Sequence, residues 1–273
     1  VRAADGQMLG GPMYALEKGL GCKWLAVLFA VFTILASFGT GSTVQANAIS
    51  SNLAHAYHIS PYLSGIVIAA LTAIVVMGGV KHIARVCEML VPLMAAFYVL
   101  GCLYILCING SYVWPAIKLI VSAAFTPQAA GGGFVGSSIM LAARFGIARG
   151  LFSNESGLGS APIASAAART RNAVRQALVS SSGTFWDTVV ICALTGIVLV
   201  SSVLAYPDID CTNGGMLTSM VFSKIPYVGN LILSIGLVMF AFTTTLGCYY
   251  YGERCMAYLK GHIWTKVYSI AYI

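Results

Sequence analysis

No charged side chain occurs from Trp24 to Ile49, and none occurs from Tyr62 to Val80. A helix needs about 20 apolar residues to cross the hydrocarbon core of a bilayer, and both runs reach that length. Further apolar runs lie at Val86–Ile108, Phe134–Phe145, Ala177–Leu204 and Val228–Tyr251, and another begins at Ile263–Ile273. Charged residues make up only 8% of the 273-residue chain and hydrophobic residues 59%. A soluble domain carries about 25% charged residues, so this chain lacks the charge to cover a water-facing surface. Lipid must be its solvent. In lipid the backbone has to satisfy its own hydrogen bonds, which leaves helices for runs of this kind. The expectation is an all-α integral membrane protein with six spans plus the start of a seventh, forming one transmembrane domain over residues 1–273.

The basic residues orient these spans. Arg2, Lys18 and Lys23 precede the first; Lys81 and Arg85 lie between the second and third. Arg144 lies at the end of the fourth, Arg149, Arg169, Arg171 and Arg175 lie between it and the fifth, and Arg254, Lys260 and Lys266 follow the sixth. If six spans alternate, thirteen of the fifteen basic residues share one side, and only Lys118 and Lys224 fall on the other. The positive-inside rule assigns the thirteen to the cytoplasm. Residues 146–175 are then cytoplasmic, and the short run Phe134–Phe145 must cross for the alternation to hold. The net charge of +7 is thus a topology signal. Nucleic acid is not expected as a partner, because the basic residues lack a soluble domain to present them.

Eight cysteines are scattered without a Cys-x-x-Cys pair. Most lie in or beside spans, where the residue behaves as a small apolar one. No disulfide and no metal site is expected from them. The four histidines lie at span ends without ligand spacing.

Polar residues inside the spans carry the chemistry. Asp187 sits mid-span, and a carboxylate there costs at least about 2.5 kcal/mol on insertion scales. Ser180, Thr184, Asp187, Thr188 and Thr195 recur at three- and four-residue steps. Two readings stand for this stripe: hydrogen bonding to a neighbouring helix, or an ion or proton site. Thr243, Thr244 and Thr245 are consecutive in Phe240-Ala-Phe-Thr-Thr-Thr-Leu-Gly-Cys. Such hydroxyls usually bond back to their own helix; adjacent ones also supply hard oxygen ligands for a monovalent cation. Ser37, Gly41 and Gln45 follow one another at steps of four, which suits a close helix contact or a cavity wall, while Gln45 near a span end also suits snorkelling to water. Residues 126–138 place Gly131, Gly132 and Gly133 just before a run too short to cross unaided. That pattern suggests a broken helix, of the kind whose ends hold substrate and ions in secondary transporters. The competing reading is an outside loop entering a tilted helix.

Several long blocks are similar to one family. They are Gly10-Gly-Pro-Met-Tyr14 with Glu17-Lys-Gly-Leu-Gly21, Ala124-Phe-Thr-Pro-Gln-Ala-Ala-Gly-Gly-Gly-Phe134, Arg149-Gly-Leu-Phe-Ser-Asn-Glu-Ser-Gly-Leu-Gly-Ser-Ala-Pro-Ile-Ala164, Phe240-Ala-Phe-Thr-Thr244 and Tyr251-Gly-Glu253. In this order they resemble the alanine/glycine:cation symporters, the sodium:alanine symporter family of prokaryotes. The resemblance implies a partial LeuT-like inverted-repeat transporter bundle in a prokaryotic plasma (inner) membrane. It implies symport of a small neutral amino acid, alanine or glycine, with sodium as coupling ion and no cofactor. Proton coupling is the alternative. The six spans would match the third to eighth core helices, so the chain reads as a fragment lacking the first core helices and the C-terminal end.

By the same resemblance Gly132, Gly133, Phe134, Ser137 and Ser138 would line the amino-acid pocket, with Gln45 near it. Thr243 and Thr244 would contact sodium, and Thr244 the substrate as well. The family usually carries Trp where this chain has Cys248, which implies a roomier pocket at that point. Ala15, Ser156 and Ser165 are smaller departures. An enzyme is not expected, since Asp187 has no reactive companion at its depth, and a channel is disfavoured by the lack of a repeated pore pattern. The lipid bilayer is the one structural partner the chain implies, and its pattern carries no signal for oligomeric state.

Overall fold

The computed structural model describes residues 9–124, 155, 158–168, 172–206, 208–209, 214–225 and 229–273. All regular structure among them is helical. Among the described residues, four helices are long and apolar enough to cross a membrane: α1 (Lys23–Tyr57), α3 (Val80–Ile108), α5 (Ala173–Ala205) and most of α7 (Gly229–Lys260). Between them lie the shorter α2 (Pro61–Met77), α4 (Gly110–Ala124) and α6 (Gly214–Ser223), and α8 (His262–Tyr272) follows. The expected span Phe134–Phe145 lies outside the described residues.

Two helices run well past the hydropathy limits, while α2 stops at Met77, short of Val80. α1 runs on to Tyr57 rather than stopping at Ile49, and α7 runs to Lys260 rather than Tyr251. Hydropathy ends where polar residues begin, but i→i−4 bonding continues through Ser50, Asn52 and His55 or through Glu253 and Arg254. α4 and α6 occupy segments read from hydropathy as outside connections, because neither is long enough to register as a span.

Local chemistry sets the α1–α2 turn. His58 takes the left-handed conformation (φ 56°), its N–H bonds Ala54 O at 3.1 Å, and the Ile59 N–H reaches Leu53 O at 3.3 Å. The His58 bond four residues back makes this an αL-type stop. Pro61 then opens α2 at a position where its missing N–H costs nothing. The Ser64 hydroxyl donates to Ser50 Oγ at 3.0 Å across the hairpin.

Two of the long helices contain π-helical segments, Ser37–Thr43 in α1 and Phe185–Cys192 in α5. In the first, glycines and hydroxyl side chains replace good helix formers, and the hydroxyls compete for backbone carbonyls. Thr43 Oγ1 donates to Phe38 O at 3.0 Å and Gln45 Nε2 to Thr40 O at 3.4 Å, both five residues back. Those are the carbonyls that a widened i→i+5 turn presents.

The chain forms two compact units. One comprises Val1–Ala96, Gly159–Gln176 and Ser234–Ile273, the other Phe97–Leu158 and Ala177–Leu233. The first has a core of Met13, Ala30, Ile34, Val76, Leu246 and Tyr268 with their neighbours. Its outer face carries Trp24, Phe32, Leu35, Ile66, Ile74 and Met89, each between 62% and 69% exposed. Apolar exposure on that scale suits lipid, not water.

In the second unit α4 packs along the Ala193–Ala205 stretch of α5, and a core forms from Cys102 and Ile105 of α3, Val198 of α5 and Phe222 of α6. Asn109, 4% exposed at the α3–α4 junction, donates to Ser202 Oγ at 3.1 Å. Tyr98 stacks on Phe222 at 5.9 Å and shares a 2.7 Å hydrogen bond with Thr195.

Candidate functional site

The three consecutive threonines lie in the middle of α7. Thr243 Oγ1 donates to Met239 O at 2.9 Å or Phe240 O at 3.0 Å and has Met94 Sδ at 3.8 Å. Thr244 Oγ1 donates to Phe240 O at 2.8 Å and Thr245 Oγ1 to Ala241 O at 2.9 Å. Each hydroxyl proton is therefore engaged by the helix itself, as threonine in apolar surroundings requires. An oxygen that has placed its proton keeps its lone pairs for a cation. Thr243 and Thr245 are buried and Thr244 is half-buried.

Cys248, one turn on, does not stand clear of its neighbours. A Cβ placed on Gly41 of α1 would fall on Cys248 Cβ, with Cys248 Sγ at 2.9 Å and the Tyr272 hydroxyl at 3.1 Å. Only a residue without a side chain lets α1 and α7 approach this closely. The same device recurs at Gly252, where a Cβ would meet the Tyr268 hydroxyl and, at 2.7 Å, Ser37 Oγ.

These glycines make room for tyrosines of α8. Tyr268 shares a 2.8 Å hydrogen bond with Ser37, Tyr272 donates to Thr245 O at 2.9 Å, and Tyr249 pairs with Ser269 at 2.7 Å. The rings of Phe38, Tyr249, Tyr268 and Tyr272 contact one another at 5.4–5.7 Å. Each buried hydroxyl thus has a partner where water is not at hand. The sequence reading missed this cluster; its only trace was the density of tyrosine in Tyr249-Tyr-Tyr251 and Tyr268–Tyr272.

Of the other residues singled out, Gln45 is half-buried and its amide bonds Thr40 O of its own helix. Ser37 and Gly41 are buried on the α7–α8 side. Asp187 is half-buried within the π-helical segment of α5. That segment breaks the three- and four-residue periodicity on which the polar stripe from Ser180 to Thr195 was drawn. Thr195 serves packing, bonded to Tyr98 and to Ile191 O at 2.7 Å. Gly132, Gly133, Phe134, Ser137 and Ser138 lie outside the described residues.

Three sequence blocks that lie far apart in the chain converge in the first unit. A Cβ on Gly10 would strike Ala166, one on Gly11 would strike Ile163, and one on Gly159 would lie 3.0 Å from Pro12. Gly11 (φ 133°) and Gly159 (φ 77°) also occupy backbone conformations that suit glycine. The Tyr14 ring meets Tyr258 edge-on at 5.2 Å, and the Tyr258 hydroxyl donates to Glu17 Oε2 at 2.8 Å. Arg254, 6% exposed, lies over the Tyr250 ring at 5.0 Å. Burial pushes the Tyr14 phenol above its ordinary pKa, and the nearby Arg254 charge opposes that shift. The glycine-rich turn near residue 11, the Gly159–Ala166 turn and the end of α7 thus form one packed assembly.

The whole chain, residues 1–273, matches the family model described as "Sodium:alanine symporter family". It is 47% identical to an uncharacterized transporter of Haemophilus influenzae, covering 100% of this chain and 60% of that protein. It is 46% identical to the sodium/alanine symporter AgcS of Methanococcus maripaludis, covering 98% of this chain and 60% of that one. A probable sodium/glutamine symporter, GlnT of Bacillus subtilis, is 34% identical over 92% of this chain and 52% of its own length. The chain thus spans about 60% of the length of the first two.

Proposed function

This chain belongs to the sodium:alanine symporter family, a family of transporters and not of enzymes, and on that premise we propose that the complete protein carries a small neutral amino acid, alanine or glycine, into the cell together with sodium. The observation that carries this reading is the family match over all 273 residues. The threonine triplet supports it physically, since Thr243 and Thr244 each commit their proton to Phe240 O or Met239 O and keep oxygen lone pairs for a cation. The sodium contacts proposed are Thr243 and Thr244. Helices outside the chain would supply the remaining ligands.

Thr244 also contacts the substrate in this reading, beside Gly132, Gly133, Phe134, Ser137 and Ser138, with Gln45 near by. Cys248 acts on that pocket through the spacing of α1 and α7, which its contact with Gly41 sets. Residues 146–175 face the cytoplasm of a prokaryotic cell, on the strength of the charge asymmetry. A LeuT-like inverted repeat is the architecture we assign to the complete protein.

The test is sodium dependence of alanine binding to the purified complete protein. For Thr244→Val the sodium concentration giving half-maximal binding should rise by roughly tenfold, the effect of about 1.4 kcal/mol. Alanine binding that ignores sodium in the unaltered protein would overturn sodium coupling and favour proton coupling.

A further inference from the structure

The first unit contains an apolar groove of about 400 Å³ between α1, the last turn of α7 and α8. Leu35, Phe38, Leu259, Val267 and Ala271 are among its walls, with Lys260 and Trp264 at one end. Its volume falls within the range of about 300–1,000 Å³ typical of ligand sites. Lys260 is the sole charged residue among the described residues of the lining, and its ammonium lies 4.2 Å from the centre of the Trp264 ring. Such a contact fixes a flexible lysine in one place.

We propose that this groove binds a glycerophospholipid with an anionic headgroup. One acyl chain would lie along Leu35, Leu259 and Val267, and the phosphate would sit over Lys260. Charge complementarity decides the occupant. A single ammonium at the end of an otherwise apolar groove matches a molecule with one anionic end and a long hydrocarbon tail. Depth agrees with this, because Lys260 ends α7, where the hydrocarbon gives way to headgroups, and tryptophans concentrate at that level. Basic pockets between helix ends hold anionic headgroups by the same chemistry. Placing the lipid in the cytoplasmic leaflet rests on the orientation proposed above. Retention in detergent does not depend on orientation, so the two ideas fail separately.

The experiment uses the complete protein, purified in mild detergent and loaded with phosphatidylglycerol or with phosphatidylcholine of identical acyl chains. Retained lipid is counted by native mass spectrometry. Phosphatidylglycerol should be preferred by about fivefold, the worth of one lysine near an anionic surface. Lys260→Gln should erase that preference. Lys266→Gln, on the same face of the membrane but outside the groove, should leave it intact. Ala271→Trp should lower retention of both lipids by filling the groove. Equal retention of the two headgroups, or a preference that survives Lys260→Gln, would overturn the proposal. So would a lipid-free groove occupied by a second copy or by another segment of the complete protein, detected by cross-linking from a cysteine at Leu35.

Discussion

Gly41→Ala tests the close approach of α1 and α7. The added methyl would fall on Cys248 Cβ, 2.9 Å from Cys248 Sγ and 3.1 Å from the Tyr272 hydroxyl. Neither backbone can yield cheaply, because α8 fills the space behind through Tyr268 and Tyr272. Overpacking of this kind costs about 1–3 kcal/mol. Replacing glycine in a helix returns at most about 1 kcal/mol, so a net loss of roughly 1–2 kcal/mol is expected. Cys248→Gly alone should also destabilise by leaving a void. The double variant adds one carbon to α1 while removing Cβ and Sγ from α7, and should recover much of the Gly41→Ala loss, with a coupling of about 1–2 kcal/mol. The assay is the thermal midpoint of the purified complete protein and its three variants in one detergent. Effects that add within about 0.5 kcal/mol would refute the contact and make Cys248 a pocket-facing residue instead.

Cys248→Trp should reduce the yield of folded protein before it changes competition of alanine uptake by serine, valine and leucine, since an indole has no room against Gly41; normal yield with a narrowed substrate range would show the opposite. Tyr258→Phe should cost about 1–2 kcal/mol in thermal stability, because Glu17 loses a hydrogen bond to a charged acceptor, and Glu17→Gln should cost less since its side-chain oxygen still accepts. Tyr268→Phe should cost only about 0.6 kcal/mol, the average for hydrogen bonds between membrane helices, because Ser37 Oγ keeps its 2.7 Å bond to Ile34 O; a larger loss would mean the ring itself moves. A cysteine at Ser165, in a background without Cys211, should resist an impermeant thiol reagent applied to intact cells, and ready labelling would invert the topology.

Much of the membrane architecture was legible because hydrocarbon imposes length and composition on a spanning helix. α3 ends at Ile108, where the sequence reading placed it, since Asn109 and Gly110 interrupt the apolar run. The extensions of α1 to Tyr57 and of α7 to Lys260 were not legible from hydropathy, which follows apolar residues and not backbone hydrogen bonding. The π-helical segments were missed for a different reason. Reading Ser37, Gly41 and Gln45 as one face presumes 3.6 residues per turn, and Ser37–Thr43 departs from it. The Thr243–Thr245 triplet was visible as sequence, and the structure adds where each proton goes. The interlocking of Gly10 and Gly11 with Ile163 and Ala166 was beyond reach, because no periodicity links residues so far apart in the chain.

Uptake of labelled alanine by proteoliposomes of the complete protein, driven by an imposed inward sodium gradient, tests the central claim most directly. Accumulation above equilibrium should require sodium, collapse when choline replaces it, and not be restored when a proton gradient is imposed in its place. Equal accumulation in choline, or accumulation driven by protons alone, would contradict sodium-coupled symport.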